Sequence, residues 1–476
     1  MTQRKSRDRK IASVLIGAPS SGSGKTMVTC ALLHILKKRG IRVSACKCGP
    51  DYIDPLFHEQ ALGVLSGNAD TFFQTPGQIR ELFAGRAEAE KTELFVTEGV
   101  MGLYDGLGGI RQEGSSYHLA EVLDCPIILV VDAKGMGRSV LSVIRGFLAD
   151  DKQHLVKGII FNRMSRGMYE VLKGSAEIEP EVRILGYVPE KKELSFESRY
   201  LGLTLPDQQQ RLLEKLESFS RLLEECVEVD ALCRLAGLYA AVLPKEPAGG
   251  MEEEKAGLSK PSGLRLAVAK DEAFCFYYRE NLQLFTEMGA QIIYFSPLRD
   301  KGLPEKAAGL YIGGGYPEQF AEALSANTEM RSAIRRAVTE GMPVLAECGG
   351  FMYLHERLRD QQQRVYEMAG VIQGECFYTG RSVRFGYVEV QDESGNFIRG
   401  ADAVKGHEFH YYDSSDNGSG CLIRKPFSGK SYRGVHVTKR AWMGFPHLFL
   451  PSNPGFAEAF LGKMRSYEAE SGKGET

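Results

Sequence analysis

Residues 11–26 read IASVLIGAPSSGSGKT, an apolar run that breaks into a glycine- and serine-rich loop ending in Lys-Thr. The apolar part predicts a buried strand, and the loop predicts a phosphate cradle. Gly22 and Gly24 let backbone N–H groups, that of Ser23 among them, turn toward anionic oxygens. Lys25 can reach the outer phosphates, and Thr26 can ligate Mg²⁺. Only the first position of the strict G-x-x-x-x-G-K-T pattern departs, with Pro19 standing there. Val28, Ala31, Leu32 and Ile35 then recur at helical spacing, and KKRG (37–40) closes that helix with cations and a glycine. No second lysine stands near the start of the loop, which argues against membrane-partitioning ATPases of the signature-lysine kind.

Further apolar runs follow at 41–47, 94–100, 126–133, 157–163 and 184–189, separated by helical patterns. Continuous runs of this kind suit strands buried on both faces, hence an α/β domain with a mostly parallel P-loop sheet. We read this ATP-binding domain as residues 11–244. The charged stretch KEPAGGMEEEKAGLSKPSG (245–263) lacks apolar periodicity and reads as a linker. A second α/β domain follows over 264–465, opening with a strand in LRLAVAKDEA, a helix around 276–288 and a strand in QIIYFSP.

With 476 residues the chain exceeds one core, and a net charge of −2 gives no global field for nucleic acid or an anionic membrane. No apolar run approaches membrane length, and MTQRKSRDRK followed by IASVLIGA reads as neither signal nor anchor. The ten cysteines form no regular framework. Cys46 with Cys48, and Cys226 with Cys233, lack zinc-site spacing and read as small buried hydrophobes in a reduced, cytoplasmic protein.

Hard oxygen ligands for Mg²⁺ stand at two predicted strand ends. Asp51 and Asp54 lie in KCGPDYIDPLFH (47–58). Glu98 ends an apolar run in FVTEGVMGLYDG (95–106), with Asp105 shortly after. Asp132, ending ILVVDA, reads equally as a metal-site acid or as a cap.

A second chemistry sits in MPVLAECGGFMYL (342–354), an apolar strand, a small-residue turn and a helix start. This is the pattern of a nucleophile elbow with Cys348 as nucleophile. The Gly349 N–H is a natural oxyanion donor. Gly313, Gly314 and Gly315 in GLYIGGGYPE end another strand and can complete the hole. For the base, His407, His410, His436 and His447 all remain open.

Together GAPSSGSGKT, GPDYIDPLFH, TEGVMGLYDG, GGGYPE, AECGGFMYL and GHEFHYYD resemble, in order and over nearly the whole chain, the cobyrinic acid a,c-diamide synthase family. That resemblance implies a dethiobiotin-synthetase-like ATP domain joined to a glutamine amidotransferase domain. ATP would convert a carboxylate to an acyl phosphate. Cys348 would release ammonia from L-glutamine, with His447, favoured by chain order, as the base. Phe449 stands where a triad glutamate is common, so the resemblance implies a Cys–His pair or an orienting group from elsewhere. It further implies Gly22, Ser23, Gly24, Lys25 and Thr26 on ATP, Thr26, Asp51 and Glu98 on Mg²⁺, and Asn162 at the adenine or in a turn. Tyr52, Asp54, Asp105, Glu197 and Arg199 (the last two within ELSFESRYLGL, 193–203) would face a cobyrinic acid-type tetrapyrrole. No nucleic acid or membrane partner is implied, and a homodimer is left open. Nickel-sirohydrochlorin or cobalt-free hydrogenobyrinic acid would suit the same motifs. A P-loop switch ATPase would have no use for Cys348.

Overall fold

The computed structural model describes residues 11–175, 180–191, 206–237 and 263–471. The chain divides into two compact units, residues 1–250 and 251–476. Of the stretch read as a linker, only Gly263 falls among the described residues, as a bend.

The first unit is built on a seven-stranded sheet in the order β3-β2-β4-β1-β5-β6-β7. Its strands are β1 (Ala12–Gly17), β2 (Val43–Cys48), β3 (Ser66–Ala69), β4 (Leu94–Glu98), β5 (Ile127–Asp132), β6 (Val156–Asn162) and β7 (Arg183–Val188). All neighbours run parallel. The six apolar runs are the six strands expected of them. β3, with sequence SGNA, is an addition. It carries no large side chain, yet all its residues are buried, and Asn68 uses its amide to hold the carbonyls of Gly49 (2.8 Å) and Asp51 (2.7 Å). β3 thus shapes the acidic turn after β2.

Apolar clusters cover both faces of the sheet, as continuous apolar strands require. β1 lies between β4 and β5, so the connections leaving it diverge there. Such a switch point opens a crevice at the C-terminal strand ends. The register places Ile16 beside Glu98 and Lys47 beside Glu98. The phosphate loop, Lys47 and Glu98 are therefore brought to one edge by strand pairing alone.

The second unit contains a six-stranded sheet, parallel except for the edge strand His436–Val437. Its central strands include Ala307–Ile312 and Val344–Glu347. Beside it stands a five-stranded antiparallel sheet containing Arg384–Asp392, Val404–His410 and His447–Leu448. The unit also holds a four-stranded mixed sheet. These last two sheets refine the plain α/β expectation. The final helix, Pro454–Ser471, runs past residue 465; Phe456, Ala457, Phe460, Leu461 and Met464 bury its inner face.

Candidate active sites

The phosphate loop leaves β1 and enters the helix Lys25–Lys38 through Gly24, whose φ of +100° suits glycine. A Cβ at Gly24 would collide with the Asn162 amide. That amide, from the end of β6, donates to the Ser23 carbonyl at 2.8 Å. Asn162 thus braces the loop from below. Lys25 Nζ donates to the carbonyls of Ser20 (3.1 Å) and Met101 (2.5 Å), so its ammonium is held at the mouth of the loop. Burial, helped by the nearby Lys47, lowers its pKa to about 8. A polyphosphate would restore the preference for charge.

Below the loop lies an ionic cluster. Thr26 Oγ1 donates to Glu98 Oε1 at 2.5 Å. Lys47 Nζ stands 3.0 Å from Glu98 Oε1 and 2.5 Å from Asp54 Oδ2. All three ionic side chains are almost wholly inaccessible. Burial and the Asp54 charge push Glu98 up to about 7. Burial also presses Asp54 upward, but the Lys47 ammonium outweighs it and holds that carboxyl below its usual range. Burial opposes the Lys47 charge, and Asp54 with Glu98 overcome it, so this lysine stays protonated. Asp51 caps the following helix, accepting from Ile53 N–H at 2.8 Å, and burial with the Asp54 charge raises it to about 6. Sequence reasoning missed Lys47. Its signal was a lone lysine in an otherwise small and apolar strand.

Among the described residues no group of three or more His, Cys, Asp and Glu could hold a metal by itself. The candidate ligands Thr26, Asp51, Asp54 and Glu98 are nonetheless all oxygen donors, and the buried His58 Nε2 stands 3.8 Å from Glu98 Oε2. That set fits Mg²⁺, which is bound by one or two carboxylates and completed by phosphate oxygens and water.

The other residues of the strand-end motifs fall into different roles. Asp105 accepts from Gly102 N–H at 2.9 Å, fixing the loop after β4. Tyr52 is buried before the Ile53–Gln60 helix. Tyr104 stacks with Phe147 and donates to its carbonyl at 2.6 Å, a packing role. Asp132 pairs with Arg163 through two hydrogen bonds. Glu197 and Arg199 lie outside the described residues.

In the second unit Cys348 ends the buried strand Val344–Glu347 with φ +46° and ψ −102°, and caps the short helix Gly349–Leu354. A non-glycine residue at positive φ is strained, and such strain marks elbows that lift a nucleophile. Gly350 is obligatory: a Cβ there would overlap the Ile312 carbonyl oxygen, while its N–H donates to Gly313 O at 2.9 Å. The Gly315 nitrogen lies 3.0 Å from where a Gly349 Cβ would be, so the glycine loop packs directly on the residue after Cys348. Burial first, then the Glu318 charge, pushes the thiol up, and the Gly349 N–H partly offsets this.

Of the four candidate bases, His447 lies against the glycine loop: a Cβ on Gly314 would collide with its ring. Burial, reinforced by His410, lowers His447 to about 3, so its ring is neutral at physiological pH. Its ring stacks on His407, 4.9 Å between centroids at 14°, and His407 Nδ1 meets the Tyr278 hydroxyl at 2.8 Å. His410 instead contacts the Tyr412 carbonyl, and His436 contacts Asp416. His447 thus packs face to face with a second histidine. Glu347, overlooked in the sequence, accepts from the Leu448 N–H (3.0 Å) and the Tyr311 hydroxyl (2.9 Å).

Two family comparisons cover these sites. Residues 14–201 match the CobQ/CobB/MinD/ParA nucleotide binding domain, and residues 265–445 match the CobB/CobQ-like glutamine amidotransferase domain. Full-length relatives agree. The chain is 36% identical over 457 residues to the cobyrinate a,c-diamide synthase of Caldanaerobacter subterraneus subsp. tengcongensis, covering 95% of this chain and 98% of that one. It is 36% identical over 463 residues to the Salmonella typhimurium protein of the same name, covering 96% and 99%. The Priestia megaterium protein of that name is 34% identical over 463 residues, covering 96% and 98%. A phosphate loop and a cysteine elbow on one chain, with relatives matched end to end, make this chain a member of the cobyrinate a,c-diamide synthase family.

Proposed function

We propose that the chain is a glutamine-hydrolysing amidoligase that converts the a- and c-carboxylates of cobyrinic acid to amides at the expense of ATP. The observation that carries this reading is the pairing, on one chain, of a braced phosphate loop over a buried acid–lysine cluster with a strained cysteine elbow. Each part answers one difficulty of amide formation. A carboxylate has a poor leaving group, so its oxygen is phosphorylated. Ammonia is protonated in neutral water, so it is released from glutamine inside the protein.

In the first unit the backbone N–H groups from Gly22 to Gly24 and the Lys25 ammonium hold the triphosphate. Thr26, Asp51 and Glu98 would hold Mg²⁺, which supplies neutralisation of the charge that develops as the outer phosphoryl group moves. Lys47 keeps a fixed positive charge beside those acids and near the loop. Asp105 lies at the same end of the sheet and would face the ring, together with Glu197 and Arg199, while buried Asp54 and Tyr52 would shape the site from behind. In the second unit neutral His447 takes the Cys348 proton as sulfur attacks the glutamine amide. The N–H groups of Gly349 and of the Gly314–Gly315 loop receive the oxyanion, His447 returns its proton to the leaving nitrogen, ammonia departs, and water then hydrolyses the Cys348 thioester to glutamate. All ten cysteines are free, which suits a cytosolic setting. Among the described residues no helix is long and apolar enough to cross a membrane.

The test is an assay with ATP, Mg²⁺ and glutamine, offering cobyrinic acid and nickel-sirohydrochlorin separately. High-resolution mass spectrometry reads the small mass fall that each exchange of OH for NH₂ brings. Diamide from cobyrinic acid is the expected product. Product from the nickel ring alone would overturn the substrate while keeping the chemistry. Cys348→Ala is expected to abolish synthesis from glutamine but retain synthesis from added ammonia; loss of both would sink the division of labour.

A further inference from the structure

The loop after the strand Ala307–Ile312 carries a side chain with no part in the chemistry described so far. Gly314 and Gly315 pair with the strand Phe274–Phe276, and a short helical turn, Pro317–Phe320, follows. Pro317 Cδ lies 2.9 Å from the point where a Gly349 Cβ would stand. The turn therefore packs directly on the residue after the nucleophile. Glu318, the next residue, is partly buried. Its carboxylate acts electrostatically on both the Cys348 thiol and the Tyr412 hydroxyl. Burial raises the Glu318 carboxyl to about 7, and no cation among the described residues counters it.

A carboxylate without a counter-ion beside a thiol that must ionise is a handicap, because it opposes the thiolate. The handicap disappears if the substrate brings a cation. Glutamine does: its α-ammonium lies four bonds from the carbonyl carbon, a reach of about 5 Å. With that carbonyl between the N–H groups of Gly315 and Gly349, the amino-acid end has to extend away from the sulfur. Glu318 stands three residues beyond Gly315 on the loop that supplies one of those donors.

We propose that Glu318 binds the α-ammonium of glutamine and is a specificity residue of the glutaminase. The inference rests on the glutaminase reading above.

The test compares glutamine with 5-amino-5-oxopentanoate, the same amide without the α-amino group, using the full chain and ammonia release as the readout. Wild type is expected to prefer glutamine in kcat/KM. Glu318→Gln should lower that preference about tenfold to a hundredfold, mostly through KM, as for loss of a hydrogen bond to a charged group. Glu318→Asp should retain part of it. The ratio does not depend on how much enzyme is folded. A preference ratio unchanged in Glu318→Gln overturns the proposal. Wild-type enzyme releasing no ammonia from glutamine would instead overturn the glutaminase reading, and this proposal with it.

Discussion

Leu448 N–H donates to Glu347 Oε1 at 3.0 Å, joining residues 101 apart in sequence. Glu347 immediately precedes Cys348, the proposed nucleophile, and Leu448 immediately follows His447, the proposed base. One buried carboxyl thus ties together the two strands that carry Cys348 and His447, while its other oxygen receives the Tyr311 hydroxyl.

Glu347→Ala leaves the Leu448 N–H and the Tyr311 hydroxyl buried without an acceptor, each at about 1–3 kcal/mol. We expect denaturant unfolding of the second unit to show a loss of about 2–5 kcal/mol, together with a fall in glutaminase kcat. Glu347→Gln keeps an acceptor for Leu448 and should recover most of both. Burial raises Glu347 to about 8, above its unfolded value. Its contribution is therefore complete below the unfolded pKa and declines as pH rises through about 8. The glutamine variant should lack that decline. Equal behaviour of the two variants at every pH would count against this role.

Gly350→Ala is expected to displace the elbow, because a methyl there overlaps backbone, the Ile312 carbonyl, and cannot be relieved by a rotamer change. Overpacking costs about 1–3 kcal/mol, and glutamine-dependent synthesis should fall further than stability does. Gly462→Ala, on the C-terminal helix where nothing lies within 4 Å of the added carbon, should instead stabilise by up to about 1 kcal/mol. Thermal unfolding of both variants checks the contrast.

Removing Lys47 leaves Asp54 and Glu98 as two buried carboxylates without their cation. Breaking a buried pair of this kind costs about 3–5 kcal/mol, so Lys47→Met should lower the urea midpoint of the first unit markedly. Lys47→Met combined with Asp54→Asn removes one of the stranded charges and should recover part of the loss. A double variant no more stable than the single one would show that the cluster is not held by charge.

Lys25 has its pKa lowered to about 8 by burial and by Lys47. In the free protein it is therefore partly deprotonated above that pH. A bound triphosphate favours the ammonium, so nucleotide binding at pH 8.5 should take up protons. Titration calorimetry in buffers of differing ionisation enthalpy reads the number. Lys25→Arg, whose side chain stays charged, should bind without this uptake. Equal uptake in both proteins would place the titrating group elsewhere.

Six strands of the first sheet were legible because a strand covered on both faces must be apolar throughout. β3 was not, since SGNA is buried by its neighbours and carries no apolar bulk of its own. The phosphate loop and Cys348 announce themselves because glycine freedom next to a reactive side chain has few other uses. Lys47 and Glu347 stayed hidden for a different reason. Their roles depend on partners across the sheet or about a hundred residues away, supplied by strand register rather than by local pattern. His447 could be ranked by chain order, but its neighbour His407 became evident only when the antiparallel strands paired the two residues directly.

The amide of Asn162, reaching from the end of β6 to the Ser23 carbonyl beneath Gly24, has a thermodynamic consequence for ligand capture. A glycine-rich loop that had to find its shape around the phosphates would spend conformational entropy at the moment of binding. Here that ordering is settled when the sheet forms. The cradle meets its ligand already shaped, and selection among nucleotides falls to whatever lies beyond the phosphates.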